Sequence, residues 1–215
     1  MFLPLTDLLT CPHCGPEYGL ILLADQIEDR RVLSGALGCP NCQRHYPVTA
    51  GFVDLRKTRE EDEPKEGEAS KGKTGEDAEP DREEAIRLAA LLGLTEGMAQ
   101  YLLILGPAVR HAPAIAALGE GIEILVADPT VRDWEEEAGI SRLGLDDNLP
   151  IYQMGIRGAV ISAGEAGLLS EVARVLVPGG RVVIEPVPDG IETKLEEAGL
   201  EEMVREGETL VAVRA

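Results

Sequence analysis

Residues 168–186 read LLSEVARVLVPGGRVVIEP and combine the signals of a helix, a turn and a buried strand. Pro178 fixes its own φ at a value that turns require, and Gly179 tolerates a positive φ. The apolar residues that follow predict a buried strand. Taken alone, this stretch predicts a connection from a helix to a strand.

The chain around this stretch alternates apolar strands with helical segments. Helical periodicity begins at Arg82 in REEAIRLAALLGL. Strands are predicted at 101–105, 122–127, 158–162, 181–185 and 209–213. Continuous apolar strands that alternate with helices are typical of a parallel sheet covered on both faces. We therefore predict an α/β domain over residues 83–215.

A highly acidic segment precedes this domain. Between Arg59 and Glu84 there are 12 acidic and 5 basic residues, and the aliphatic side chains are those of Ala69 and Ala78. Such a segment cannot bury enough apolar surface to offset the entropy lost on ordering. We therefore predict an acidic disordered linker over residues 57–82, which leaves residues 1–56 as a separate small domain.

The small domain contains the sequences Cys11-Pro-His-Cys14 and Cys39-Pro-Asn-Cys42, separated by 24 residues. Two Cys-x-x-Cys pairs at this separation can place four thiolates around one tetrahedral Zn²⁺. Two disulfides or a redox dithiol are the alternatives, but stable disulfides are rare in the cytosol. Because all four ligands would come from the protein, the predicted zinc is structural rather than catalytic.

Between the two cysteine pairs, YGLILLAD and RRVLSGALGC predict two strands joined by a polar turn. A domain of this size has little core of its own, so the metal should supply much of its stability.

The composition narrows the range of partners. The chain of 215 residues has 39 acidic and 20 basic residues and a formal net charge of −19. Since affinity for nucleic acids comes largely from Lys and Arg, we expect no direct binding to RNA or DNA. The apolar stretches are shorter than the roughly 18–20 residues of a membrane-spanning helix. MFLPLTDLLT shows no signal peptide, and we predict a cytoplasmic location without a membrane partner.

Residues 5–56 resemble a known family in LLTCPHCG and LGCPNCQRHYPVTAGFVDLR. These sequences are similar to the zinc-binding activator subunits of tRNA, rRNA and release-factor methyltransferases. In that family the zinc ribbon covers an apolar surface of a partner methyltransferase and performs no chemistry, and it also occurs fused ahead of methyltransferase domains. The resemblance implies a protein partner that is a methyltransferase or another translation-related protein.

The opening stretch itself closely resembles the helix before the fifth strand in class I S-adenosylmethionine-dependent methyltransferases. The ending LEEAGLEEMVREGETLVAVRA is similar to the last helix and closing β-hairpin of that fold. This resemblance covers about 101–215. It implies a Rossmann-like class I methyltransferase-type sheet, which the small β-rich zinc ribbon precedes.

The resemblance implies a cofactor loop after the first strand, where the family has an acidic residue and a Gly-x-Gly sequence. In LILGPAVRHAP (103–113) the acidic position is apolar, and Gly106 matches the first glycine. Ala108 replaces the second glycine, and Arg110 and His111 add bulk. We therefore expect the loop to lack the usual binding contacts with S-adenosylmethionine.

Two acidic positions agree better with the family. Asp128 ends the second strand, where the family's acid binds the ribose hydroxyls. In LDDNLPI, Asp146 or Asp147 matches an Asp that meets the adenine amine. An Asp-Pro turn and a solvated acidic loop are the alternatives. After the strand at 158–162, Ser162 and Glu165 are placed beside the cleft by position alone.

Two functions follow from these observations. The first is a non-catalytic binding or regulatory factor, linked to translation or RNA modification, with a degenerate methyltransferase-like domain. The alternative is an active S-adenosylmethionine-dependent methyltransferase acting on RNA, protein or a small molecule. Methyl transfer is an in-line displacement that positioning alone can support, so a sparse site does not decide whether the protein is an enzyme. In a third hypothesis, the ribbon stabilises its own second domain.

Overall fold

The computed structural model describes residues 1–57, 82–94 and 100–215. The predicted linker therefore lies almost entirely outside the described residues, and its disorder stays a prediction. None of the described helices has the length and apolar character needed to cross a membrane.

The described residues form thirteen strands, and eleven of these belong to one mixed sheet. In the ribbon the strands are β1 (Thr10–Cys11), β2 (Gly15–Gly19), β3 (Ile21–Glu28), β4 (Arg31–Gly38), β5 (His45–Thr49) and β6 (Phe52–Asp54). In the α/β part they are β7 (Gln100–Leu105), β8 (Ile122–Ala127), β9 (Ile140–Gly144), β10 (Ile156–Ile161), β11 (Leu176–Ile184), β12 (Leu200–Glu206) and β13 (Thr209–Arg214).

The described residues also contain four α-helices and four 3-10 helices. The α-helices are α1 (Arg82–Leu92), α2 (Ala112–Ala116), α3 (Leu169–Val175) and α4 (Ile191–Ala198). The 3-10 helices are η1 (Leu3–Asp7), η2 (Gly106–His111), η3 (Pro129–Asp133) and η4 (Ala163–Leu168).

The α/β part confirms the predicted fold class. Its strands lie in the order β12-β13-β11-β10-β7-β8-β9, and the five from β11 to β9 are parallel. Leu102 and Ile104 of β7 pack in one cluster with α1 and α2. Leu103 and Leu105 point to the opposite face and share a cluster with α3 and α4. Alternate residues of one strand thus serve two cores, which explains its continuous apolar sequence.

The five predicted strands of the α/β part, the helix at Arg82 and the closing helix and hairpin are confirmed. The predicted turn at Pro178 is wrong in one respect, because Pro178–Gly180 lies inside β11 rather than between the helix and the strand. The register with β10 shifts there, and Gly179 has φ +73°. The glycine therefore forms an irregularity within the strand.

Strand β9 was not predicted, and it joins the ribbon to the α/β part. It pairs in parallel with β8 on one side and with β6 on the other. Val53 lies opposite Leu143, and the Leu55 N–H donates to the Gly144 carbonyl at 2.9 Å. Strands β6, β5, β4 and β3 thereby extend the sheet beyond β9.

The apolar core is also continuous across this junction. Leu5 and Val53 of the ribbon belong to the same buried cluster as Leu143 and Ile151 of the α/β part. All four are at most 1% exposed. At roughly 25 cal/mol per Å² of buried apolar area, a shared core of this kind favours the docked arrangement.

Buried charges lie at the same junction. The Arg31 guanidinium contacts the two carboxylate oxygens of Glu123 at 2.8 and 3.0 Å and Glu136 at 2.6 Å. Arg31 and Glu123 are 8% and 6% exposed. The Ser141 hydroxyl donates to Glu123 at 2.6 Å, and Arg142 donates to the carbonyl of Ala50. Burial raises the pKa of Glu123, although Ser141 and Arg31 oppose the shift.

We predict that Arg31→Ala lowers the free energy of unfolding by about 3–5 kcal/mol, because it leaves the Glu123 carboxylate buried without its cation. Urea denaturation of the full chain measures this loss. Arg205→Ala is the matched control, since Arg205 pairs with Glu192 and Glu202 at the surface and should change the midpoint little. Equal losses for the two variants would contradict a structural role for the buried charges.

Candidate functional site

A pocket of about 380 Å³ opens where β7, β8 and β9 end. Its lining includes Gly106, Asp128, Asp146 and Glu165. Each of these residues follows the carboxyl end of a parallel strand, and in open α/β sheets ligands bind at this edge. The volume lies within the range of small-molecule sites.

Gly106 begins η2 directly after β7 and is buried. Its φ is +68°, and a Cβ there would lie 2.4–2.5 Å from the Glu165 carboxyl group. Both the backbone conformation and the close approach require glycine. Ala108, Arg110 and His111 are not among the described residues that line the pocket. These three side chains thus lie outside the described lining, and the weaker binding of the cofactor expected from them stays a prediction.

Asp128 lies at the end of β8 and begins the turn that leads into η3. Its Oδ1 accepts hydrogen bonds from the Thr130 N–H at 2.9 Å and the Thr130 hydroxyl at 2.5 Å, so it caps η3. Within the described part of the chain, Oδ2 has no such partner. The Asp-Pro turn is thus present, and one oxygen of the carboxylate remains available in a residue that lines the pocket.

The two candidate residues after β9 are separated by the structure. Asp146 lines the pocket, and its Oδ2 accepts a hydrogen bond from the Lys57 N–H at 2.5 Å. Asp147 is exposed and is not among the described lining residues. The structure therefore brings together Gly106, Asp128 and Asp146, and it leaves Asp147 outside.

Among the lining residues that sequence reasoning missed, Phe52 and Arg56 come from the end of the ribbon. The Arg56 guanidinium makes a two-point contact with Asp54, at 2.8 and 2.7 Å. Both residues reach the pocket because β6 pairs with β9. No local signal in the sequence indicates that pairing.

Glu165, predicted beside the cleft by position, lines the pocket, whereas Ser162 is buried and does not belong to its described lining. Oε2 of Glu165 is buried and has no hydrogen-bond partner among the described residues. A buried carboxylate oxygen without a partner is costly, so this atom marks a place where a donor or a cation would be favoured.

The four cysteines form a second site within the ribbon. The Sγ atoms of Cys11 and Cys42 are 3.7 Å apart, and those of Cys14 and Cys39 are 3.8 Å apart. All four sulfur atoms lie within 4.8 Å of one another and belong to free thiols. Four thiolates bound to Zn²⁺ at about 2.3 Å would be about 3.8 Å apart, so the arrangement fits a tetrahedral metal.

Groups around the cysteines can stabilise negative charge on sulfur. The N–H of Cys14 lies 3.4 Å from the Cys11 sulfur, and the N–H of Cys42 lies 3.5 Å from the Cys39 sulfur. The Asn41 amide contacts the Cys14 sulfur at 3.3 Å. Such contacts are typical around metal-bound cysteines.

No protein-family model and no curated protein sequence matches the chain. Geranyl diphosphate methyltransferase in complex with S-adenosylmethionine shares 10% identity over 62% of this chain and 85% of its own, with a TM-score of 0.50. A methyltransferase from Aquifex aeolicus, described as dependent on S-adenosylmethionine, shares 17% identity over 63% of this chain and 90% of its own, with a TM-score of 0.49.

A complex between the Haloferax volcanii Trm112 methyltransferase activator and a methyltransferase is also similar. It shares 16% identity over 62% of this chain and 90% of the other chain, with a TM-score of 0.47. At these identities the comparisons show the fold alone. The α/β part has the Rossmann-like fold of class I methyltransferases.

Proposed function

We propose that this protein binds S-adenosylmethionine in the pocket at the ends of β7, β8 and β9 and is a methyltransferase. The juxtaposition of Gly106, Asp128 and Asp146 in one pocket is the observation that carries this proposal. We propose further that residues 1–56 form a zinc ribbon that supports the α/β part of the same chain.

The residues of the pocket fit the cofactor. Its volume of about 380 Å³ is in the range that holds small molecules. Oδ2 of Asp128 can accept a hydrogen bond from a ribose hydroxyl while Oδ1 keeps its hydrogen bonds from Thr130. Gly106 contributes no side chain of its own to the end of β7, and the Glu165 carboxyl group occupies part of the space above it.

S-adenosylmethionine, when bound, supplies a methyl group on a positively charged sulfur. The protein's part in such a reaction would be to hold the cofactor and to orient the acceptor, since positioning alone can support an in-line displacement. Asp128 and Asp146 would fix the nucleoside part. The net charge of −19 favours an acceptor other than nucleic acid.

The ribbon's support in cis follows from its position. In the activator family that the ribbon resembles, the ribbon covers a surface of a separate methyltransferase. Here, β6 pairs with β9 of the same chain, and Arg31 contacts Glu123 across the junction. The four cysteines would hold one structural Zn²⁺, since they leave no ligand position open for water.

A second candidate is a non-catalytic binding or regulatory factor that docks on a protein partner linked to translation or RNA modification. The position of the Glu165 carboxyl group against Gly106 favours it, because this group occupies part of the space above the glycine. The replacement of the second glycine by Ala108 also favours it.

We predict one Zn²⁺ per chain in the purified protein, measured by elemental analysis. Cys42→Ser should lose the metal and lower the melting temperature by about 10 °C or more, because metal binding supplies folding free energy. His45→Ala is the control, since His45 is exposed and lies outside the cysteine cluster. Metal-free protein with an unchanged melting temperature would refute the proposed zinc site.

We predict that titration calorimetry detects binding of S-adenosylmethionine, and that Asp128→Asn weakens it about tenfold or more. The substitution removes the charge from the ribose contact while keeping an oxygen to cap η3. Asp147→Asn is the matched control and should bind as the wild type does, because Asp147 lies outside the pocket. Absence of binding by the wild type would favour the non-catalytic candidate.

A further inference from the structure

Glu165 and Gly106 meet because their strands are neighbours. Glu165 lies in η4, which follows β10, and Gly106 follows β7. Strands β10 and β7 pair in parallel, so the residues after them emerge at the same edge of the sheet. Both carboxylate oxygens of Glu165 lie 2.5 Å from the point that a Gly106 Cβ would occupy. The absence of a side chain at Gly106 is what makes room for this carboxylate.

Among the described residues no basic side chain contacts the Glu165 carboxylate, although Arg56 and Arg132 line the same pocket. Oε2 of this carboxylate is buried without a hydrogen-bond partner, and no ion pair joins Glu165 to a basic side chain within the described ranges. The residue after Gly106 is Pro107, which has no N–H to donate at the start of η2. A carboxylate in this environment favours a positively charged partner from outside the protein.

The same part of the pocket lacks the acidic residue that the resembled family has after its first strand. The end of β7 is apolar, and Leu102–Leu105 are all buried. Leu105 and Glu165 both line the pocket, one from β7 and the other from the segment after β10. Glu165 thus brings a carboxylate to the end of the first strand from the neighbouring strand.

We propose that Glu165 is a specificity-determining residue that binds the α-ammonium group of an S-adenosyl amino acid. This assignment rests on the proposed function and deepens it, because it names the part of the ligand that the pocket selects. The ligand class is a nucleoside joined through sulfur to an amino acid. A nucleoside thioether without the amino acid would not use Glu165.

Three ligands separate this role from the alternatives. S-adenosylmethionine carries both a sulfonium and an ammonium, S-adenosylhomocysteine carries the ammonium without the sulfonium, and 5′-methylthioadenosine carries neither. Calorimetric titration of the full chain with each ligand should be made for the wild type, Glu165→Gln, Glu165→Ala and Glu135→Gln. Glu135 is exposed and lies outside the described lining, so its variant is the matched control.

We expect Glu165→Gln to weaken binding of S-adenosylmethionine and S-adenosylhomocysteine about tenfold or more, because a charge-assisted contact is lost. Binding of 5′-methylthioadenosine should stay within about twofold. Glu135→Gln should bind all three ligands as the wild type does. Circular dichroism and the melting temperature show whether each variant is folded.

Other outcomes overturn the assignment. An equal loss for all three ligands would mean a structural role, and a loss for S-adenosylmethionine alone would mean recognition of the sulfonium. Tighter binding by Glu165→Ala would mean that Glu165 closes the pocket against the ligand. A wild type that binds none of the three refutes the proposed function as well, whereas unchanged binding by Glu165→Gln refutes only the role of Glu165.

Discussion

The parallel pairing of β6 with β9 is the contact on which the rest of the structure depends. Without it, β9 would be the edge strand of the α/β part, with unpaired backbone groups along one side. Ser141 and Arg142 of β9 are buried polar residues whose partners include Glu123, Glu136 and Ala50. The ribbon therefore completes the backbone pairing of this strand and supplies the Ala50 carbonyl that accepts a hydrogen bond from Arg142.

The pocket depends on the same contact. Phe52 and Arg56 reach the pocket because β6 lies beside β9. The backbone N–H of Lys57, which follows β6, donates a hydrogen bond to Asp146. The ribbon itself is small and has little core apart from the shared one, so the proposed zinc would stabilise both its strands and the junction. We therefore expect both the junction and the pocket to depend on the proposed metal site.

The sequence predicted the elements with strong apolar periodicity, such as Leu102–Leu105, because a buried strand with two cores leaves a continuous apolar signal. The cysteine cluster was equally predictable, since two Cys-x-x-Cys pairs at this separation are a specific signal of four thiols around one centre. Strand β9 was not predicted because Ser141 and Arg142 interrupt its apolar sequence. Their partners, Glu123 and Ala50, lie far away in the chain. That Oε2 of Glu165 has no hydrogen-bond partner among the described residues could not be predicted either, because this depends on what packs around the carboxylate.

Amide hydrogen exchange at β9 tests the central claim that the metal site and the pocket are coupled through the shared sheet. The full chain would be compared as purified and after treatment with a zinc chelator. The account predicts that removal of the metal lowers the protection of Ile140–Gly144, while β10 and β11, farther from the ribbon, change less. Loss of protection confined to the segments that carry the four cysteines, with β9 unchanged, would contradict it.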